Sequence, residues 1–221
     1  MGKGSFISPE QRSGIRARVE PIALAMHRAG LTPNMLTLIG FGIASLGGVL
    51  AAFELWVLAG IVATAGAGFD MFDGAVARAT GQVSKLGAFM DSTFDRWGEG
   101  IVYLGIVIGS TRAGFDVGAW LATAALVSAF MVSYTRAKSE SLGFSSGTGM
   151  AAIGLAPREV RTVILGIAVV VAGIFGVTSE WSDPGSLILA IGLGLIAVLA
   201  TVTVVQRIRF VTSQPPNPQN D

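Results

Sequence analysis

Six apolar stretches, each long enough to cross a bilayer as a helix, dominate this chain of 221 residues. They run from Asn34 to Glu54, Trp56 to Ala79, Leu86 to Ser110, Val117 to Ser141, Arg158 to Val177 and Pro184 to Arg207. In hydrocarbon every backbone N–H and C=O must find a partner within the protein, so stretches of this length fold as helices. Charged residues make up only 13% of the chain, against about 25% in soluble domains. The expected fold class is therefore all-α integral membrane, with six transmembrane helices. Small residues let backbones approach closely in lipid, and the chain has 30 glycines. Gly66, Gly68 and Gly74 fall in the second stretch. Gly105 and Gly109 in the third form a G-x-x-x-G, which reads either as a helix contact or as lipid-facing surface. The absence of cysteine excludes disulfides, thiolate catalysis and cysteine-based zinc sites.

Ahead of the spans, Ile15, Val19, Ile22, Ala23 and Met26 recur at helical spacing between Pro9 and Ala29, with arginines on the other side. This predicts an amphipathic helix lying in the membrane interface. The first thirty residues are basic and polar (Lys3, Arg12, Arg16, Arg18, Arg28) and show no cleavage pattern, so no segment is expected to be removed. The expected organisation is a cytoplasmic segment over 1–30, a six-helix domain over 31–211 and a disordered, proline-rich tail over 212–221. The formal charge of +1 hides a strong asymmetry. Of the 15 basic residues, only Arg112 falls on the side opposite the termini. The positive-inside rule then puts both termini in the cytoplasm of a multi-pass cell-membrane protein.

Against this apolar background Asp70, Asp73, Asp91 and Asp95 stand out. Carboxylates inside membrane segments are costly unless a cation holds them. Asp70 and Asp73 are three apart, Asp91 and Asp95 four apart, so each pair shares one helix face. The short connection Thr80 to Lys85 predicts that segments two and three are antiparallel neighbours. All four carboxylates can then converge on one cytoplasmic cavity, a hard-oxygen cage for one or two divalent metals. Glu99 lies one turn beyond Asp95 and is expected to pair structurally with Arg96 rather than tune the site. Further along, Arg136 and Lys138 end segment four, and Arg158 and Arg161 open segment five at the same depth. Arg207 enters that layer from segment six. Membrane anchoring explains Arg209; a basic pocket for a phosphate ester explains Arg136, Lys138, Arg158 and Arg161 better.

The run from Asp70 to Asp95 also resembles a known signature. The pattern D-x-x-D-G-x-x-A-R-x8-G-x3-D-x3-D of the CDP-alcohol phosphotransferase family is met by Asp70, Asp73, Gly74, Ala77, Arg78, Gly87, Asp91 and Asp95. The element Leu31-Thr32-Pro33-Asn34-Met-Leu-Thr37 resembles the family as well. The resemblance implies an enzyme that transfers a phosphatidyl group from CDP-diacylglycerol to an alcohol, with CMP leaving. It implies Asp70, Asp73, Asp91 and Asp95 as metal ligands, with magnesium expected and manganese also suited. Asp95 is the expected catalytic base. Asp73, Gly74, Ala77, Arg78 and Gly87 would bind the CDP-lipid, with Gly74 admitting the nucleotide and Arg78 contacting phosphates through its planar fork. A homodimer in the bilayer is also implied, and no nucleic-acid partner.

The run Ser133-Tyr134-Thr135-Arg136-Ala137-Lys138-Ser139-Glu140 resembles the branch of bacterial phosphatidylinositol phosphate synthases, whose acceptor is inositol 1-phosphate. That branch usually shows Glu-Arg-Pro-Glu-Arg before segment five. Here the run is Ala156-Pro157-Arg158-Glu159-Val160-Arg161, with the two arginines still three apart. Synthesis of phosphatidylglycerophosphate from glycerol 3-phosphate, or of cardiolipin from a lipid acceptor, are the alternatives. A cation-coupled transporter would also use intramembrane carboxylates, but leaves Gly74, Arg78 and Gly87 without a role.

Overall fold

The structure is a computed structural model that describes residues 21–144 and 153–214. The described residues are helical and contain no strand. A helix described over 21–28, α1, precedes six long ones: α2 (Pro33–Ala52), α3 (Trp56–Ala79), α4 (Lys85–Arg112), α5 (Asp116–Ser141), α6 (Arg158–Phe175) and α7 (Pro184–Thr212). The six long helices fall within a few residues of the six apolar stretches. Most of the expected interfacial helix and residues 215–221 of the tail lie outside the described residues, and α7 runs one residue into the stretch expected as tail.

Local chemistry sets the ends nearest the aspartates. Thr32 caps α2, its Oγ1 accepting from Met35 N at 3.3 Å, and Pro33 occupies the first helical turn, where a missing N–H costs nothing. Ser84 caps α4 and accepts from Gly87 N at 3.0 Å. Four helices, α2, α3, α5 and α7, are long and apolar enough by composition to cross a membrane. The other two, α4 and α6, carry Asp91, Asp95, Arg96 and Glu99 on one and Arg158, Glu159 and Arg161 on the other. Large apolar side chains such as Leu46, Leu58, Trp120, Val127, Ile167, Ile191 and Val198 are more than half exposed, a surface suited to lipid rather than water.

The helices meet through small residues. α2 packs against both α3 and α4, α6 bridges α3 and α7, and α5 lies against α7 and α4. On one side of α2, a Cβ on Gly47 would meet the Ala63 backbone at 2.6 Å, and one on Gly66 would meet Ala44 N at 2.4 Å. On the other side, a Cβ on Gly105 would stand 1.9 Å from Gly48 O, and one on Gly109 2.1 Å from Ala51 O. The G-x-x-x-G is therefore a helix contact, not lipid-facing surface.

One expectation is corrected. α3 and α4 scarcely touch, because α2 stands between them. A short loop limits how far two helix ends can separate but not what packs along their lengths. The two acidic faces converge only at the loop end, where α2 begins.

Candidate functional site

The last turns of α3 and the first turns of α4 carry the aspartates. One oxygen each from Asp70, Asp91 and Asp95 lies within 4.8 Å of the others. Oxygens shared by one hard cation, each at about 2.0–2.6 Å from it, cannot lie much further apart than this, so the three fit a divalent ion. Asp73 stands to one side. It is buried, and its Oδ2 accepts from Thr37 Oγ1 of α2 at 2.6 Å. The element Leu31 to Thr37 thus supplies both the α2 cap and a donor that fixes Asp73.

Two arginines meet this cluster. Arg158 Nη1 donates to Asp70 Oδ2 at 2.5 Å and forms an ion pair with Asp95 Oδ2 at 2.8 Å, joining α6 to α3 and α4. Arg96 Nη1 reaches the same Asp95 oxygen at 3.4 Å. Glu99, expected opposite Arg96, pairs instead with Arg161. Nε donates to Oε1 at 3.1 Å, and Nη2 donates to Oε1 at 2.9 Å and to Oε2 at 3.0 Å. Arg161 Nη1 donates to Ala156 O at 2.9 Å, so this buried guanidinium is held on every side.

Glycines shape the opposite flank. Arg78 folds back over Gly74, where a Cβ would come within 3.1 Å of its Nη1. A Cβ on Gly87 would lie 3.1 Å from Ser84 Oγ and 3.5 Å from Asn34 Oδ1. Ala77 lies one residue before Arg78 on the same last turns of α3. Gly74, Ala77 and Arg78 therefore belong to the end of α3, and Gly87 to the start of α4.

On the side facing α5, α6 and α7 opens a cavity of about 890 Å³. Its charged lining is Asp91, Asp95, Glu140 and Glu159 together with five arginines, Arg96, Arg136, Arg158, Arg161 and Arg207. Arg136 is half-exposed and donates to Glu140 Oε1 at 3.0 Å. Arg207 is buried and donates from Nε to Ile153 O at 3.0 Å and from Nη1 to Val132 O. Lys138 is exposed and is not among the residues lining this cavity. The cavity exchanges Lys138 for Arg207. The sequence already placed Arg207 in that basic layer, two residues before Arg209 in α7.

Comparison with known proteins places the chain in a family. The chain is 36% identical over 201 residues to the archaetidylinositol phosphate synthase of Pyrococcus horikoshii, covering 89% of this chain and 92% of that protein. It is 34% identical over 205 residues to the phosphatidylinositol phosphate synthase of Cutibacterium acnes, covering 89% and 93%. The fold is similar to the crystal structure of the Mycobacterium tuberculosis phosphatidylinositol phosphate synthase with CDP-DAG bound. That match has a TM-score of 0.76 and 28% identity, covering 89% of this chain and 94% of that one. The same protein in complex with manganese and citrate matches with a TM-score of 0.75. Residues 30–212 match the CDP-alcohol phosphatidyltransferase description, and with relatives this similar along nearly their whole length, the chain belongs to the CDP-alcohol phosphatidyltransferase family.

Proposed function

We propose that this enzyme transfers the phosphatidyl group of CDP-diacylglycerol to inositol 1-phosphate, giving phosphatidylinositol phosphate and CMP. The observation that carries the reading is the single cavity lined both by Asp91 and Asp95 and by Arg136, Arg158, Arg161 and Arg207. An acceptor that is itself a phosphate ester needs a basic wall for its phosphate and a carboxylate near its hydroxyl. The names of the relatives support inositol phosphate in that role.

Asp70, Asp73, Asp91 and Asp95 would hold Mg2+ or Mn2+, whose charge neutralises the diphosphate of the donor. Gly74, Ala77, Arg78 and Gly87 receive the cytidine diphosphate on the α3–α4 side. Arg136, Arg158 and Arg161 draw the acceptor phosphate into the cavity, and Lys138 adds positive field at its rim. Asp95 accepts the proton of the acceptor hydroxyl. The hydroxyl oxygen bonds to the phosphorus that carries diacylglycerol, the bond from that phosphorus to the CMP oxygen breaks, and CMP leaves with the electron pair.

All six long helices cross the bilayer in this reading. α4 and α6, at about 42 and 27 Å by their residue counts, are long enough, and Asp95, Glu99, Arg158 and Arg161 pair with one another or with Asp70 inside the protein. Both termini and the site face the cytoplasm. Residues 1–30 form the interfacial segment. In support, Ala23 and Met26 of α1 pack with Leu36 of α2 and Val76 of α3. Residues 31–211 form the catalytic domain, which works as a homodimer.

The test is CMP release by purified protein in detergent with CDP-diacylglycerol and magnesium, comparing inositol 1-phosphate, glycerol 3-phosphate and free inositol. Release with inositol 1-phosphate alone is expected. Release only with glycerol 3-phosphate would make the enzyme a phosphatidylglycerophosphate synthase. Release only with an added lipid alcohol would make it a cardiolipin synthase.

A further inference from the structure

The chain that enters α6 is held from below by α7. Thr203 Oγ1 accepts two backbone N–H groups, those of Leu155 and Ala156, each at 3.0 Å. The same hydroxyl donates to Leu199 O at 2.8 Å. Gly154 presses on this threonine from the other side. It has φ +126°, and a Cβ there would come within 2.2 Å of Thr203 Cγ2. A threonine in an apolar helix ordinarily does no more than bond the carbonyl one turn back. Thr203 does this and also takes two donors from chain more than 40 residues away.

Those two N–H groups belong to a stretch without helical partners, and an N–H left unpaired in a buried place is costly. The bonds to Thr203 therefore decide where residues 155 and 156 run. Two residues on is Arg158, whose Nη1 bridges Asp70 and Asp95. Pro157 and Arg158 line the large cavity; Thr203, fully buried, is not among its lining residues.

We propose that Thr203 is a positioning residue: its hydroxyl fixes the entry to α6 and so sets Arg158 between the aspartates and the acceptor. The inference rests on the acceptor reading of the cavity given above.

The test compares Thr203→Val, Thr203→Ser and Thr203→Ala with the unaltered enzyme, measuring KM for inositol 1-phosphate and for CDP-diacylglycerol. Thr203→Val keeps the shape and removes the hydroxyl. It is expected to raise the acceptor KM by about tenfold and to move the donor KM by less than about twofold. Thr203→Ser, which restores the hydroxyl, returns the acceptor KM to its original value. If Thr203→Val does not purify as folded protein, Thr203→Ala carries the same comparison, with a smaller rise because water can enter beside the two N–H groups. An unchanged acceptor KM, equal effects on both substrates, or no rescue by serine would overturn the inference alone. An unaltered enzyme that uses no phosphorylated alcohol would overturn the acceptor reading and this inference with it.

Discussion

Replacing Glu99 and Arg161 separately and together gives a stability measurement with a large expected signal. Arg161 is 1% exposed and Glu99 8%, and three contacts of 2.9–3.1 Å join them. Glu99→Leu leaves a guanidinium in the interior with only the Ala156 carbonyl for company. Breaking one side of a buried ion pair costs about 3–5 kcal/mol. Arg161→Met strands Glu99 at a similar cost and also takes the donor from Ala156 O, about 1 kcal/mol more. The double variant leaves no charge behind, and apolar replacements of similar volume lose little, less than about 3 kcal/mol. The single losses therefore sum to roughly 7 kcal/mol or more, and the double variant falls well short of that sum. The assay is an unfolding titration of purified protein in mixed micelles, followed by tryptophan fluorescence. Single variants within about 1 kcal/mol of the original, or a double variant as poor as the sum, would refute the idea that this pair fastens α4 to α6.

The metal cluster, the Thr37–Asp73 bond and the helix-packing glycines carry further predictions. Asp91→Asn abolishes CMP release while the protein still elutes as a folded species. Chelation does the same to the unaltered enzyme, and added Mg2+ or Mn2+ restores activity. Thr37→Val removes the side-chain donor to Asp73 and lowers kcat/KM by an amount corresponding to about 1.5–3 kcal/mol, read from initial rates at low CDP-lipid. Gly105→Ala drives a methyl into the Gly48 carbonyl and lowers the melting temperature in detergent. Gly68→Ala, at a position with nothing within 4 Å, leaves it unchanged or slightly raised.

Most of the fold was legible because its signal is local. Apolar runs bounded by Thr32-Pro33, Ser84 and Asp183-Pro184 mark helices to within a few residues. The spacing of Asp70, Asp91 and Asp95 carried enough information to bring them together. The partners across the bundle were not legible. Glu99 faces Arg161, 62 residues away, rather than its neighbour Arg96, because tertiary packing and not sequence spacing chooses between two arginines. The separation of α3 from α4 was also missed. Its signal was present in Gly40, Ala44, Gly47, Gly48 and Ala51, small residues on two faces of α2 that fit one helix between two others. Asp73 turns one oxygen to a hydroxyl on α2, a contact that no period within α3 encodes.

The long-range ion pairs also impose a timetable on biosynthesis. Asp70 waits 88 residues for Arg158 and Glu99 waits 62 for Arg161. At about 5–20 residues per second, the nascent chain presents these carboxylates several seconds before their partners leave the ribosome. A charged residue at the centre of a membrane helix costs about 2.5–3.5 kcal/mol even in the translocon's reckoning. In the six-span reading proposed above, α4 therefore stays shallow until α6 arrives and draws it to its final depth. On that reading, chains stalled between residues 112 and 158 show an α4 still open to aqueous labels, and the acidic half is embedded only when its basic half is made.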